Sequence, residues 1–236
     1  PWTLTFLALA NGTLRAAQMT TATALIPNLV EKEHLMNAIA LNQATQQGAR
    51  MLGALAIIPL LGFLNIEAAF WLCSSFYFLG FLQVSKVKTR STGVIDKSQG
   101  FLANLFEGFV YVYKRPTIRV MVLIVLAHCA LTMSYESLLP AISREKLDAG
   151  SVGASFLIAG IGGGALLTSV FLAGVRSESV RGKLFLFFAI SSGLGPILLA
   201  ISDSSTLSIA ATMVMGANQA GFMTISHTII QSLTDD

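Results

Sequence analysis

The sequence predicts an all-α fold, a polytopic bundle of helices in a membrane, and three observations carry that prediction. Of its 236 residues, 54% are hydrophobic and only 11% charged, and the mean hydropathy is +0.71. A soluble domain carries roughly 25% charged residues, and its interior could not hide this much apolar surface. Seven apolar runs are each long enough for a bilayer core about 30 Å thick, which takes about 20 helical residues. The basic residues are also segregated. Lys86, Lys88, Arg90, Lys97, Lys114, Arg115 and Arg119 fall in one stretch between two groups of runs.

The first run is about Thr3 to Ile26, ended by Pro27. The second is about Leu35 to Leu61, with Pro59 near its end, and the third about Glu67 to Val84. The third is nearly all apolar, which suits a lipid-facing helix. After the basic stretch come Thr117 to Leu139, Val152 to Val175, Leu184 to Ile201 and Leu207 to Leu233. Gly193, Gly195 and Pro196 predict a bend in the sixth run. Gly160 and Gly164 form a GxxxG pair that lets helices approach closely. Within the basic stretch, Phe101, Leu105, Phe109 and Val112 recur at helical spacing before Pro116. They predict a short amphipathic helix lying on the membrane surface.

Orientation follows from the basic residues. Lys32, the seven of the basic stretch, Arg176, Arg181 and Lys183 fall on one side, eleven in all, against Arg144 and Lys146 on the other. The connector is therefore expected in the cytoplasm, anchored at an anionic inner leaflet. The loops near Glu67, Lys146 and Asp203 are expected outside. The organisation read from this is 1–85 as one helix bundle, 86–116 as a connector, and 117–236 as a second bundle. An internal repeat at an offset of 204 adds to it. Gly12, Met19, Thr20, Ile26 and Leu29 recur as Gly216, Met223, Thr224, Ile230 and Leu233. The repeat makes the first and seventh helices equivalent and the unit six spans, one of the ways secondary transporters are built. The chain opens on Pro1 at a helix start and closes shortly after another helix, so it is expected to be part of a longer protein.

Certain residues carry a resemblance to the major facilitator superfamily, closest to its enterobactin-exporter-like branch. Ala24-Leu25-Ile26-Pro27-Asn28-Leu29-Val30, Asn37-Ala38 and Ala49-Arg50-Met51-Leu52-Gly53 resemble that branch's fourth and fifth helices. Leu138-Leu139-Pro140, Gly160-Ile161-Gly162-Gly163-Gly164 and Ile230-Gln231-Ser232-Leu233-Thr234-Asp235 resemble its seventh, eighth and tenth. The resemblance implies a partial major-facilitator fold with seven transmembrane helices, the fourth to tenth of twelve. It also implies a central cavity with alternating access and export of a siderophore- or drug-like small molecule across a bacterial inner membrane.

Polar residues inside the runs are the candidate site, because a charge at mid-bilayer costs several kcal/mol and normally faces protein or a water-filled cavity. Asn11, Arg15 and Gln18 share one helical face and suit an anionic or polar substrate. Gln43, Gln46 or Gln47, and Arg50 share a face of the second run. Asn218 and Gln219 are the candidates in the seventh run, with His227 and Gln231 nearer its cytoplasmic end, and Gln219 stands at the repeat position of Arg15. The expected substrate-binding set is Asn11, Arg15, Gln18, Arg50, Asn218 and Gln219. His128, Thr132, Tyr135 and Glu136 lie on adjacent turns of the fourth run, and a titrating His128 and Glu136 on one stripe are candidates for proton coupling.

No metal-ligand spacing, phosphate-binding loop or GxSxG is present, so no enzyme is expected and no cofactor. Cys73 and Cys129 read as small core residues. The expected partners are a small-molecule substrate, coupled protons and the lipid bilayer, with no nucleic acid. Two rivals stand beside the transporter: a seven-span receptor or photoreceptor, and a transporter fragment without activity of its own.

Overall fold

A computed structural model describes residues 2–26, 29–63, 66–86, 101–132, 134–175 and 177–233. Lys88, Arg90, Lys97, Pro27, Arg176 and Asp235, all used above, lie outside the described residues. No strand occurs among those described. Helices α1 (Trp2–Leu25), α2 (Leu35–Phe63), α3 (Ile66–Val84), α4 (Phe101–Lys114) and α5 (Pro116–Thr132) come first in the chain. A 3₁₀ turn, Ser134–Leu138, leads into the single helical turn α6 (Leu139–Ala141) and a π turn, Ile142–Lys146. Helices α7 (Gly150–Ala173), α8 (Glu178–Ser191), α9 (Leu194–Ile201) and α10 (Ser205–Leu233) complete the order. Every one of the seven expected runs is helical.

Among the described residues, three stretches are long and apolar enough by length and composition alone to cross a membrane: Pro116–Lys146, Gly150–Ala173 and Ser179–Ile201. Phe70–Val84 is a shorter apolar helix. At 24, 29 and 29 residues, α1, α2 and α10 are at least as long as Gly150–Ala173, and polar residues at their middles dilute their hydropathy. These are the helices that carry Arg15, Arg50 and Gln219.

Helix α7 lies at the centre, packed by α2 on one side and by α10 on the other. Missing side chains make this possible. A Cβ at Gly164 would fall 1.9 Å from the carbonyl oxygen of Met213, and one at Gly216 would fall 1.9 Å from that of Ile161. The Gly160–Gly164 pair thus seats α10. On the other face, a Cβ at Gly162 would meet the backbone of Met51 in α2 at 2.8 Å.

Two apolar clusters close the ends of this arrangement. Met36, Ala40, Leu172, Phe188, Phe222 and Ile225 pack at one end, and Leu139, Leu157, Ile161, Leu199, Ala211 and Met215 at the other. Their burial is the dispersion term that holds helices together where lipid supplies no hydrophobic drive. Helices α1 and α3 are largely exposed, Trp2 at 85% and Trp71 at 76%, and α3 shows the apolar exterior expected of it. Cys73 is accordingly exposed on α3 and not in the core as expected, because few protein neighbours cover that helix. Cys129 is half-buried, with its Sγ 4.0 Å from Sδ of Met223.

Two runs are interrupted. The expected bend in the sixth appears as a break between α8 and α9, with Pro196 in the first turn of α9, where a missing N–H is tolerated. The fourth run was expected as one helix to Leu139, but it leaves α-geometry after Thr132. Ser137 Oγ donates to the carbonyl of Ser134 at 2.7 Å, and Pro140 cannot supply the N–H that would continue the ladder.

The expected surface helix is α4. Its exposed Phe106, Phe109, Val110 and Tyr113 stand at i, i+3, i+4 and i+7, a row slightly rotated from the one expected, since Val112 is half-buried. At the α4–α5 junction the Arg115 guanidinium lies 4.5 Å from the Tyr111 ring centre and donates to the carbonyl of Leu233 at 3.3 Å. The end of α4 is thereby tied to the end of α10.

The repeat supplies a control for the glycine seats, because Gly12 has nothing within 4 Å of a built Cβ. Gly216→Ala is expected to destabilise the protein by at least the ~1–3 kcal/mol typical of overpacking, as backbone must move. Gly12→Ala should be neutral or stabilising by about 0.5–1 kcal/mol. Thermal unfolding of the purified protein in detergent checks both.

Candidate functional site: a polar seam between α2, α10 and the 3₁₀ turn

Arg50 sits midway along α2 on the face that also carries Gln43 and Gln46, at i, i+3 and i+7. Its Nη2 donates to Oε2 of Glu136 at 2.7 Å, and the two side chains are 29% and 31% exposed. Glu136 belongs to the 3₁₀ turn, so the break in the fourth run is what brings its carboxylate to α2. The same turn aims the preceding side chain elsewhere. Tyr135 donates its phenolic hydrogen to Oε1 of the buried Gln219 in α10 at 3.2 Å. Four polar side chains from three elements therefore form one cluster: Arg50, Glu136, Tyr135 and Gln219. Glu136 uses one oxygen only. Its Oε1 is buried and has no hydrogen-bond partner.

A second polar group lies along the same faces. Asn42, Gln43 and Gln46 of α2 and His227 of α10 line a cleft closed by Ile39, by Met19 of α1 and by Ile26 just after it. In α10, Gln219, Met223 and His227 are spaced i, i+4 and i+8, so the cleft and the Arg50 cluster occupy the two ends of one seam.

The sequence-predicted residues divide accordingly. Arg50, Gln219 and Glu136 are brought together, although Glu136 was expected in proton coupling and Arg50 and Gln219 in substrate binding. Asn218 is placed elsewhere. Its Oδ1 accepts from Ser191 Oγ at 2.7 Å and its Nδ2 donates to the carbonyl of Ser191 at 3.0 Å, a buried lock between α8 and α10. Asn11, Arg15 and Gln18 are exposed on α1, and Arg15 makes no hydrogen bond or ion pair among the described residues. Gln18 lines an apolar cleft against Cys73, Phe76, Tyr77, Gly80, Phe81 and Val84 of α3.

His128 is buried and stacked on Phe222, ring centres 3.9 Å apart, which in turn stacks on Phe185. Its Nε2 has no partner, its carbonyl accepts from Thr132 Oγ1 at 2.6 Å, and no described hydrogen bond links it to Glu136. Among the described residues no three of His, Cys, Asp and Glu are grouped to hold a metal ion. Sequence reasoning did not single out Asn42 and Ser191. An amide or hydroxyl inside an apolar run gives no sign of which helix it will face.

The fold and the seam define a class: a bundle of apolar helices with polar residues gathered where α2, α10 and the 3₁₀ turn meet. The family model of the Major Facilitator Superfamily matches residues 1–236, and the chain belongs to that superfamily. No curated protein and no solved structure matches it. The protein is a membrane transporter, as members of the superfamily are, and such transporters bind small-molecule substrates within the membrane.

The Ser191–Asn218 lock should show in stability. A double-mutant cycle with Ser191→Ala and Asn218→Ala, read by unfolding in detergent, is expected to give a coupling of about 0.6–1.7 kcal/mol, the range for hydrogen bonds between membrane helices. A coupling near zero would remove Asn218 from its packing role.

Proposed function

We propose that this chain is part of an alternating-access exporter of small organic molecules, siderophore- or drug-like in size, within the enterobactin-exporter-like branch of the superfamily. Residues 1–85 and 117–236 belong to two helix bundles that rock against each other about the α2–α7 contact. Residues 86–116 join them on the cytoplasmic face of a bacterial inner membrane. The observation that carries this reading is the polar seam. Its two faces come from the two bundles, and the Arg50–Glu136 pair crosses between them.

The seam also supports a path. Substrate enters from the cytoplasmic end at Asn42, Gln43, Gln46 and His227, and moves along α2 and α10 toward Arg50 and Gln219. Asn11 and Arg15 line the α1 side of the same path, Arg15 facing the substrate where α10 presents Gln219, and Gln18 borders it from the cleft against α3. Asn218 acts in this path by fixing α10 against α8. His128, pressed against Phe222, and Glu136 are the positions at which proton coupling is proposed. A proton on His128 would weaken its stacking against Phe222, and so shift α10.

The test is transport by the purified protein in proteoliposomes, with a panel of siderophore-like catechols and amphiphilic drugs. Movement of at least one compound, dependent on protein, supports the reading, and none across the panel sinks it. For a transported compound, Gln43→Ala with His227→Ala is expected to raise KM about tenfold, two hydrogen bonds at about 0.5–1.5 kcal/mol each. A KM unchanged from wild type would take the inner cleft out of the path.

A further inference from the structure

The Arg50–Glu136 pair is incomplete as a structural lock. A guanidinium and a carboxylate can join through two parallel hydrogen bonds, the stronger and more specific arrangement. Here one Nη2–Oε2 bond of 2.7 Å is made, and Glu136 Oε1 is left buried without a partner. Both side chains keep about a third of their surface exposed, at 29% and 31%, so another molecule can reach them. The pair also joins two parts of the bundle that share little other polar contact. The charges around it are unbalanced. Among the described residues, the charged side chains well inside the spanning helices are Arg15, Arg50 and Glu136, two cations against one anion. Tyr135 and Gln219, the other members of the cluster, are neutral and satisfy each other.

From this we infer that the transported substrate is an organic anion, and that its carboxylate takes Arg50 away from Glu136 and so unlatches the two bundles on the outer side. The inference rests on the transporter reading above. An incoming carboxylate can engage the guanidinium with both oxygens, whereas Glu136, held by the 3₁₀ turn, offers one. The outer position and partial exposure of Glu136 let water solvate its carboxylate as the two sides part. The empty protein is thus held closed by an internal carboxylate, and the substrate opens the outer side by replacing it. Cargo without an anionic group leaves the latch shut. The exchange on Arg50 is balanced in charge, one carboxylate replacing another on the same cation.

The exchange predicts opposite effects for the two partners. Salicylate binding to the purified protein is measured by calorimetry, with salicylamide as the uncharged control. Glu136→Gln removes the internal competitor and is expected to bind salicylate about tenfold more tightly than wild type, because the competent state is no longer rationed. Arg50→Gln is expected to lose binding by more than tenfold. Salicylamide should bind neither form measurably. Spin labels on the outer ends of α2 and α9 should show a wider separation in ligand-free Glu136→Gln than in wild type.

Equal weakening by both substitutions, or no salicylate binding to wild type and Glu136→Gln alike, would overturn the inference. Size-exclusion profiles of both variants identify any that misfold, and Arg50→Lys then serves in place of Arg50→Gln, with weaker binding expected. A protein that moves uncharged compounds in proteoliposomes and ignores salicylate keeps the transporter reading and loses this one. A protein that moves nothing loses both.

Discussion

Gly162 faces α2, and Gly160 and Gly164 face α10, so both partners come to backbone distance of α7 at the same height. That double close approach is the constraint on which the polar residues depend. It fixes α2 and α10 relative to each other through a single rigid intermediary. Arg50 and Gln219 are then near enough for one short turn, Tyr135–Glu136, to reach both. A larger residue at Gly162 would separate α2 from the bundle. Arg50 would keep its place on the helix and lose its partner. Small residues here do for helices in lipid what a large apolar core does in water. They allow dispersion and a few hydrogen bonds to act at short range.

The fourth run shows the local cost of building such a site. An unbroken α-helix from Pro116 to Lys146 would send Tyr135 and Glu136 about 100° apart at a fixed pitch. The 3₁₀ geometry, with its tighter turn, changes that relation and leaves irregular backbone at membrane depth. Such backbone is tolerated where protein or a polar cavity satisfies it, and the cluster of Arg50, Glu136, Tyr135 and Gln219 is such a place. Polarity thus concentrates where regular structure fails. The two apolar clusters, apart from Leu139, lie in regular helix at either end.

Much of this was legible in the sequence. Composition and run length gave the helical membrane class, and all seven runs are helical. The period of Phe101, Leu105, Phe109 and Val112 marks α4, and Gly160 with Gly164 marks a close contact. Helical spacing also put Gln43, Gln46 and Arg50 on one face. What spacing cannot supply is the partner across a gap. Arg50 and Glu136 stand 86 residues apart, and nothing local in either run refers to the other. Asn218 and Gln219 are neighbours with the same chemistry, yet one is locked to Ser191 and the other reaches Tyr135, because adjacent residues point about 100° apart on a helix. The 3₁₀ turn was missed for a related reason. Leu138-Leu139-Pro140 is apolar enough to continue a span, and hydropathy outweighed what Pro140 does to the backbone.

The separation of Arg50 from Glu136 also matters while the chain is being made. Synthesis proceeds at about 5–20 residues per second, so Arg50 leaves the ribosome roughly 4–17 seconds before the carboxylate that will neutralise it. During that interval α2 must enter the bilayer with an uncompensated guanidinium, at a cost of about 2.5–3.5 kcal/mol on insertion scales. Helix α1, carrying Arg15, faces the same difficulty earlier. Both helices therefore depend on neighbours, on snorkelling or on the insertion machinery to remain in the membrane until the fourth run arrives. The geometry that pairs Arg50 with Glu136 in the finished protein makes its first half a slow and vulnerable passenger during biogenesis.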